Sequence, residues 1–223
     1  YIGTHMTYPA IGDINADGKP EIVFGRNFQL YAVDGDSFFN LPNFPITISD
    51  AILAAPLLFD LNGDGRDEIF FGSRARRVYG LDGSGVNLPN FPIYLNTWIF
   101  STPCVFDPAR HRIGVLGSDG RFWLVDASGV IKEFTNSQHN MVTYASPVVG
   151  DMDRDGEPEA VIINGYGTIY IYGADSLEQK FDILIDTTFY FTPALADLDR
   201  DGYLEIIMPT SSWHSPAPTM QTR

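Results

Sequence analysis

Cysteine is almost missing: Cys104 is the single one in 223 residues. An internal disulfide framework is therefore excluded, and the redox compartment is left open. Positive charge is scarce as well, with 14 Lys and Arg against 28 Asp and Glu and a formal net charge of −14. Nucleic acid and anionic membrane would be repelled over most of such a surface, which argues against both as partners and makes cations the natural complement. No apolar run approaches the roughly 18 to 20 residues that cross a bilayer as a helix, so no membrane insertion is expected and the chain reads as a soluble domain. The four histidines, His5, His111, His139 and His214, keep no common register and read as incidental. A nucleophile elbow, a phosphate loop and a zinc motif are all lacking, as is any helical 3.6-residue period of useful length. The chain starts at Tyr1 without Met or a charged-then-apolar leader, so the expectation is that any secretory signal was removed or never included.

What is present is regular. The composition, 44% hydrophobic with 21 Gly and 15 Pro, fits one large folded domain, a length that repetitive all-β folds fill without splitting. The stretch DINADGKPE (13–21) returns as DLNGDGRDE (60–68), DMDRDGEPE (151–159) and DLDRDGYLE (197–205). With Asp107 filling the gap, the first aspartates lie 47, 47, 44 and 46 residues apart, and each follows a proline by four: Pro9, Pro56, Pro103, Pro147 and Pro193. An aromatic stands three residues before a later Asp in YAVD (Tyr31), YGLD (Tyr79), WLVD (Trp123) and YGAD (Tyr172), and NLPNFPI occurs at 40–46 and 87–93.

Five copies of one unit are implied, and within each the residues read as β: a short apolar segment, the acidic loop, a β-rich run, a turn, a third run and a fourth extended piece. Four short strands every 44 to 47 residues is a blade period, so the spacing predicts an all-β propeller of about five four-stranded blades. The fifth unit runs out after two strands. The expectation is a last blade that is incomplete or closed by residues 1–8, a propeller over 1–213 and a Ser/Pro/Thr tail over 214–223.

The acidic loops look made for a cation. A helix-loop-helix calcium site needs Glu at its twelfth position, but the twelfth positions here are Phe24, Phe71, Ile162 and Met208, so that geometry is excluded. The alternative draws ligands from positions 1, 3, 5 and 9 with a main-chain carbonyl at 7. These are Asp13, Asn15, Asp17, Lys19 and Glu21; Asp60, Asn62, Asp64, Arg66 and Glu68; Asp151, Asp153, Asp155, Glu157 and Glu159; and Asp197, Asp199, Asp201, Tyr203 and Glu205. Position 7 varies freely, as expected where only backbone oxygen is used. Position 6 is always Gly, which turns the chain with positive φ. Hard oxygen donors in a flexible loop, without His or Cys, select Ca²⁺. The four loops hold three, three, four and four ligand carboxylates, as many negative charges as the net excess of the whole chain, 14. Such crowding is expected to need about four structural Ca²⁺ ions for relief.

With these loops, the pairs Phe24-Gly25 and Phe71-Gly72 and the proline before each loop, the chain resembles the FG-GAP (VCBS-type) repeats of integrin α-subunit propellers and secreted bacterial proteins. The resemblance covers nearly the whole chain. It implies that the loop joins the first two strands of a blade and holds calcium structurally, away from the usual ligand face. Two departures stand out: the third unit, DPARHRIG, keeps only Asp107 of the loop, and the best-known members have seven blades.

Other features have plainer readings. Cys104 occupies the position of Leu57, Val148 and Ala194, a strand residue rather than a nucleophile. Tyr31, Tyr79, Trp123 and Tyr172 read as wedges between blades, and SRARR (Arg74, Arg76, Arg77) as a solvated hairpin tip. The regularly spaced carboxylates are assigned to metal, which leaves no pair for acid-base work. The expectation is a non-enzymatic, calcium-stabilised module, extracellular or at the cell surface, binding a protein or a glycan. Alternatives are a self-assembling structural subunit, binding copies of itself through unpaired strand edges, and part of a carbohydrate-active enzyme such as a polysaccharide lyase.

Overall fold

Alternating apolar residues between turn signals make strands, and the first strand of every unit begins one residue after its proline. The computed structural model describes residues 6–135, 143–164, 168–174, 177–182 (as backbone) and 191–208; the tail expected over 214–223 lies outside them. Four four-stranded antiparallel meanders follow one another. They are β1 (Ala10–Gly12), β2 (Glu21–Arg26), β3 (Gln29–Asp34) and β4 (Ile46–Thr47); β5 (Leu57–Phe59), β6 (Glu68–Gly72), β7 (Arg77–Leu81) and β8 (Ile93–Tyr94); β9 (Cys104–Asp107), β10 (Arg112–Leu116), β11 (Phe122–Asp126) and β12 (Gly129–Phe134); and β13 (Val148–Gly150), β14 (Glu159–Ile163), β15 (Thr168–Tyr172) and β16 (Leu177–Asp182). A fifth sheet contributes β17 (Ala194–Ala196) and β18 (Glu205–Ile207) among the described residues.

The sheets stack face to face as blades, because successive side chains of a strand point to opposite faces and here both faces are apolar. On β6, Ile69 and Phe71 enter the junction with the first sheet, together with Val23, Leu30 and Ala32, while Phe70 turns to the next junction. On β11, Trp123 and Val125 face the second sheet, and Phe122 and Leu124 face the fourth. Val161, Ile163, Ile169 and Ile171 close on Leu195 and Ile206 of the fifth sheet. Among the described residues the core is therefore four separate junctions, one between each pair of consecutive blades. First strands of neighbouring sheets also contact each other, β1 with β5, β9 with β13 and β13 with β17, which places them innermost.

Residues 6 and 7 belong to the first blade. Met6 bridges Arg26, and the Thr7 N–H donates to the Gly25 carbonyl at 2.9 Å. This part of the amino-terminal segment is therefore not the outer strand of the last blade that the repeat register allowed.

Candidate metal centre

Each acidic loop joins the first and second strands of its sheet, β1–β2, β5–β6, β13–β14 and β17–β18. The glycine at position 6 is left-handed in all four: Gly18 φ 82°, Gly65 φ 85°, Gly156 φ 90° and Gly202 φ 92°. Position 4 is left-handed as well, and there Ala16, Arg154 and Arg200 take φ of 60°, 67° and 65°, at a cost of roughly 1–2 kcal/mol each. Only Gly63 among the position-4 residues hinted at this in the sequence. The turns aim main-chain N–H groups at the first aspartate, whose Oδ2 accepts from the position-6 glycine in every loop: Gly18 on Asp13 2.9 Å, Gly65 on Asp60 2.9 Å, Gly156 on Asp151 3.1 Å and Gly202 on Asp197 3.0 Å.

The position-9 glutamate anchors the base. Glu21, Glu68 and Glu159 are at most 2% exposed. One oxygen of each accepts the N–H of position 2, Ile14 at 3.0 Å, Leu61 at 2.8 Å and Met152 at 2.6 Å, and Glu205 does the same with Leu198 at 2.6 Å. Carboxylate oxygens then converge to within 4.8 Å in four groups: Asp17, Glu21 and Asp34; Asp60, Asp64 and Glu68; Asp151, Asp153 and Glu159; Asp197, Asp199 and Glu205. Asp13, Asp155 and Asp201 stand outside these groups. The last two accept the N–H of Glu157 and Tyr203, both at 2.8 Å, and Asp17 and Asp64 accept that of Lys19 and Arg66. Asp34 is an addition that the loop spacing does not show: it ends β3 directly opposite Glu21.

These donor sets fit a hard divalent ion. All are oxygens, and Asp151 Oδ1 is buried without a hydrogen-bond partner in the midst of its group, an orphan that an ion would satisfy. Loops one and two differ from loops four and five in having Asn at position 3. There the amide bridges the negative groups: Asn15 Nδ2 reaches Glu21 Oε1 at 3.0 Å and Asp17 Oδ2 at 3.4 Å, and Asn62 Nδ2 reaches Glu68 Oε1 at 2.6 Å and Asp64 Oδ2 at 3.2 Å. Asp153 and Asp199 have no such donor to offer. A cleft of about 550 Å³ between the first two hairpins is lined by Asn15, Asn62, Asp64 and Glu68.

Where the third unit lost its loop, an arginine supplies the positive charge. Arg110 donates to Asp107 Oδ2 at 2.6 Å and also grips both carboxylate oxygens of Glu157 in the next blade. Burial pushes the Asp107 carboxyl up, but the hydrogen bonds and charge of Arg110 outweigh it and hold Asp107 below its ordinary range; they lower Glu157 too. His111 is equally engaged, its Nδ1 lying 2.7 Å from the Asp60 carbonyl. Further links run between the other hairpins: Asp67 N–H to the Asp13 carbonyl, 3.3 Å, and Arg154 to the Asp201 carbonyl, 3.5 Å, with its guanidinium 5.2 Å from the Tyr203 ring. The five hairpins thus form one belt along a single rim.

Burial, with Asp64 and Asp60 adding to it, pushes Glu68 up to about 7; burial raises Glu21 and Asp67 as well. A carboxyl raised in the folded state holds a proton that the unfolded chain has released, so its contribution is complete below the ordinary value near 4.5 and lost as pH rises through about 7. The lowered groups, Asp34, Asp82, Asp107 and Glu157, act below that window. Protein stripped of divalent ions on a chelating resin is therefore expected to melt at progressively lower temperature from pH 5.5 to 8. A flat or rising melting temperature would contradict this.

On the opposite rim, reached by the second turn of each antiparallel sheet, aromatic side chains lie exposed. The Trp98 carbonyl accepts the Ser118 N–H at 2.8 Å, and the Ile99 N–H reaches the Ser73 carbonyl at 3.3 Å, which fixes this segment over the turns of the second and third blades. Trp98 is 43% and Tyr144 37% exposed. Phe100 lies between them, 5.7 Å from Trp98 and stacked on Tyr144 at 5.0 Å, while the Arg74 guanidinium lies 6.0 Å from the Trp98 ring. Cys104 sits in β9 with its thiol pushed up to about 12 by burial, which removes it as a nucleophile. Tyr79, Trp123 and Tyr172 are buried in the junctions, whereas Tyr31 is half-buried on the first blade.

The FG-GAP-like repeat family model matches residues 13–71 and 151–208, together more than half of the chain. The gap between the matches contains the unit whose loop is replaced by Arg110. No curated protein matches. Among solved structures, Saccharomyces cerevisiae Sqt1 is similar with a TM-score of 0.68 at 14% identity, over 91% of this chain and 56% of that one. BBS1N in complex with ARL6DN, soaked with lead, is similar with a TM-score of 0.60 at 13% identity, over 89% of this chain and 58% of that one. Both are β-propellers, and the likeness shows that fold. The chain spans little more than half the length of either.

Proposed function

Because the chain belongs to the FG-GAP-like repeat family, we propose that it is a non-catalytic, calcium-stabilised extracellular module that binds a partner protein through the rim opposite its acidic hairpins. The observation that carries this reading is the exposed pair Trp98 and Tyr144, joined by the half-buried Phe100, with Arg74 beside Trp98. Trp, Tyr and Arg are the residues that dominate binding energy at protein interfaces, and this group stands at the ends of rigid sheets. The similar structure of BBS1N is of a complex with ARL6DN, a precedent for a protein partner. The converging carboxylates lie in the hairpins, where Asp17, Glu21, Asp60, Asp64, Glu68, Asp151, Asp153, Glu159, Asp197, Asp199 and Glu205 would hold Ca²⁺. The ion would supply charge neutralisation that lets each hairpin close. Extracellular calcium is near the range in which weak sites of extracellular modules fill, which supports the location.

The test uses calcium-loaded chain, labelled and applied to cell surfaces from its source. Trp98→Ala and Tyr144→Ala are expected to lower binding at least tenfold with the melting temperature little changed. The hairpin-side rim has exposed aromatics of its own, Phe38 at 71% and Phe39 at 76%, which serve as the control. Binding lost with Phe38→Ser and kept with Trp98→Ala would overturn the choice of rim.

A further inference from the structure

Charge is divided unequally between the two rims. The hairpin rim holds the four converging groups of carboxylates. On the opposite rim, the second turns of the first three blades (27–28, 73–76 and 117–121) contain one carboxylate, Asp119, and Arg121 takes it, Nε donating to Oδ2 at 2.8 Å. The connection 95–103 adds none, and Asp50, in the connection before it, accepts the Ala51 N–H at 2.7 Å. Three of the chain's 14 Lys and Arg stand in and beside the middle turn, at 74, 76 and 77. Arg74 and Arg76 are exposed and Arg77 is half-buried, and none forms an ion pair with a described carboxylate. Their turn is held in place: the Arg74 N–H donates to the Ala51 carbonyl at 3.1 Å, the Arg76 carbonyl accepts the Leu95 N–H at 3.0 Å, and the Arg76 guanidinium donates to Asn96 Oδ1 at 3.3 Å. Arg74 carries this positive patch up to the aromatic side chains, 6.0 Å from the Trp98 ring.

We propose that the protein bound on this rim presents a short acidic segment, its carboxylates meeting Arg74, Arg76 and Arg77 and an adjoining apolar side chain meeting Trp98 and Phe100. The inference rests on the rim assigned above and adds the chemistry of what it takes. Guanidinium groups match carboxylates with two parallel hydrogen bonds, and arginines without an intramolecular ion pair are free to make them. Length matters because the chain as a whole carries −14: an extended polyanion would run onto repelling surface, whereas a short segment meets the positive patch alone, and the acidic hairpins at the far rim turn it towards this end. Ring geometry favours a peptide over a sugar. Trp98 and Phe100 are tilted by 56° and the Arg74 guanidinium lies over the Trp98 ring, which leaves a notch for a side chain rather than a flat face for stacking.

Fluorescence anisotropy with calcium-loaded chain tests this, the probes being a short labelled peptide of Glu and Ser around one Phe, the same peptide with Gln for Glu, and a heparin fragment. The Glu peptide is expected to bind about tenfold more tightly than the Gln peptide, and to weaken as salt rises. Arg74→Glu with Arg76→Glu, at exposed positions, is expected to remove that preference, and Trp98→Ala to weaken both peptides. Lys132→Glu, exposed on the outer strand β12, makes the same kind of charge change away from the patch and is expected to leave binding unchanged. Equal affinity for the two peptides, or no binding of either, overturns the proposal. So does a Glu preference that survives the arginine substitutions, which would place the contact elsewhere, and so does arginine-dependent binding of heparin in place of the peptide, which would make the ligand an anionic glycan. The partner-binding rim stands or falls separately: if cell-surface binding drops with Trp98→Ala while the peptides are not distinguished, the rim is kept and the acidic segment is lost.

Discussion

Removing divalent ions is expected to lower the melting temperature by about 10–20 °C. A site held at ten times its Kd contributes about 1.4 kcal/mol, and four converging groups of carboxylates give about 6 kcal/mol; at roughly 2–4 °C per kcal/mol for a chain of this size, that is the stated fall. The loss should be uneven. In the first two hairpins the Asn15 and Asn62 amides already bridge the carboxylates, so part of the repulsion is relieved without an ion. The fourth and fifth have Asp153 and Asp199 instead, and Asp151 Oδ1 is left without a partner. The third has its own cation in Arg110. Hydrogen exchange in chelator should therefore quicken most over 151–159 and 197–205, less over 13–21 and 60–68, and least over 107–112. Titrating calcium back should restore the melt saturably. An unchanged melting curve after ion removal would end the proposal that these hairpins hold calcium.

The distribution of these effects shows which features a single sequence exposes. Strand order and the place of each acidic hairpin were legible because they are local and repeat: a proline starts the first strand, Gly at position 6 turns the loop, and the interval of 44 to 47 residues fits four short strands. Contacts between units were not. Arg110 and Glu157 are 47 residues apart, as are Arg154 and Asp201, and nothing at either site announces its partner until neighbouring blades are superposed by one repeat. The same holds for His111 on Asp60, which no common register among the histidines suggested. Asp34 was visible as a recurring turn residue, but its approach to Glu21 depends on the pairing of β2 with β3. The exposed Trp98 and Tyr144, with the half-buried Phe100 between them, sit in connections that do not repeat in sequence, so periodicity could not single them out.

Trp123→Ala and Tyr31→Ala, two substitutions at one position of the repeat, are expected to differ severalfold in cost. Trp123 is 1% exposed between the second and third blades, among Val115, Ile113 and Phe91, with the Arg121 guanidinium 5.0 Å from its ring. Truncating such a residue leaves a cavity that sheets on both sides cannot close, at about 3–5 kcal/mol, or a fall in melting temperature of about 10 °C or more. Tyr31 stacks on Phe24 of its own blade and its hydroxyl donates to Gln29 Oε1 at 3.0 Å, but it is only half-buried, so Tyr31→Ala forfeits little beyond these contacts, about 1–2 kcal/mol. Equal costs would overturn the reading that packing between neighbouring blades, rather than contacts within one blade, stabilises this position of the repeat.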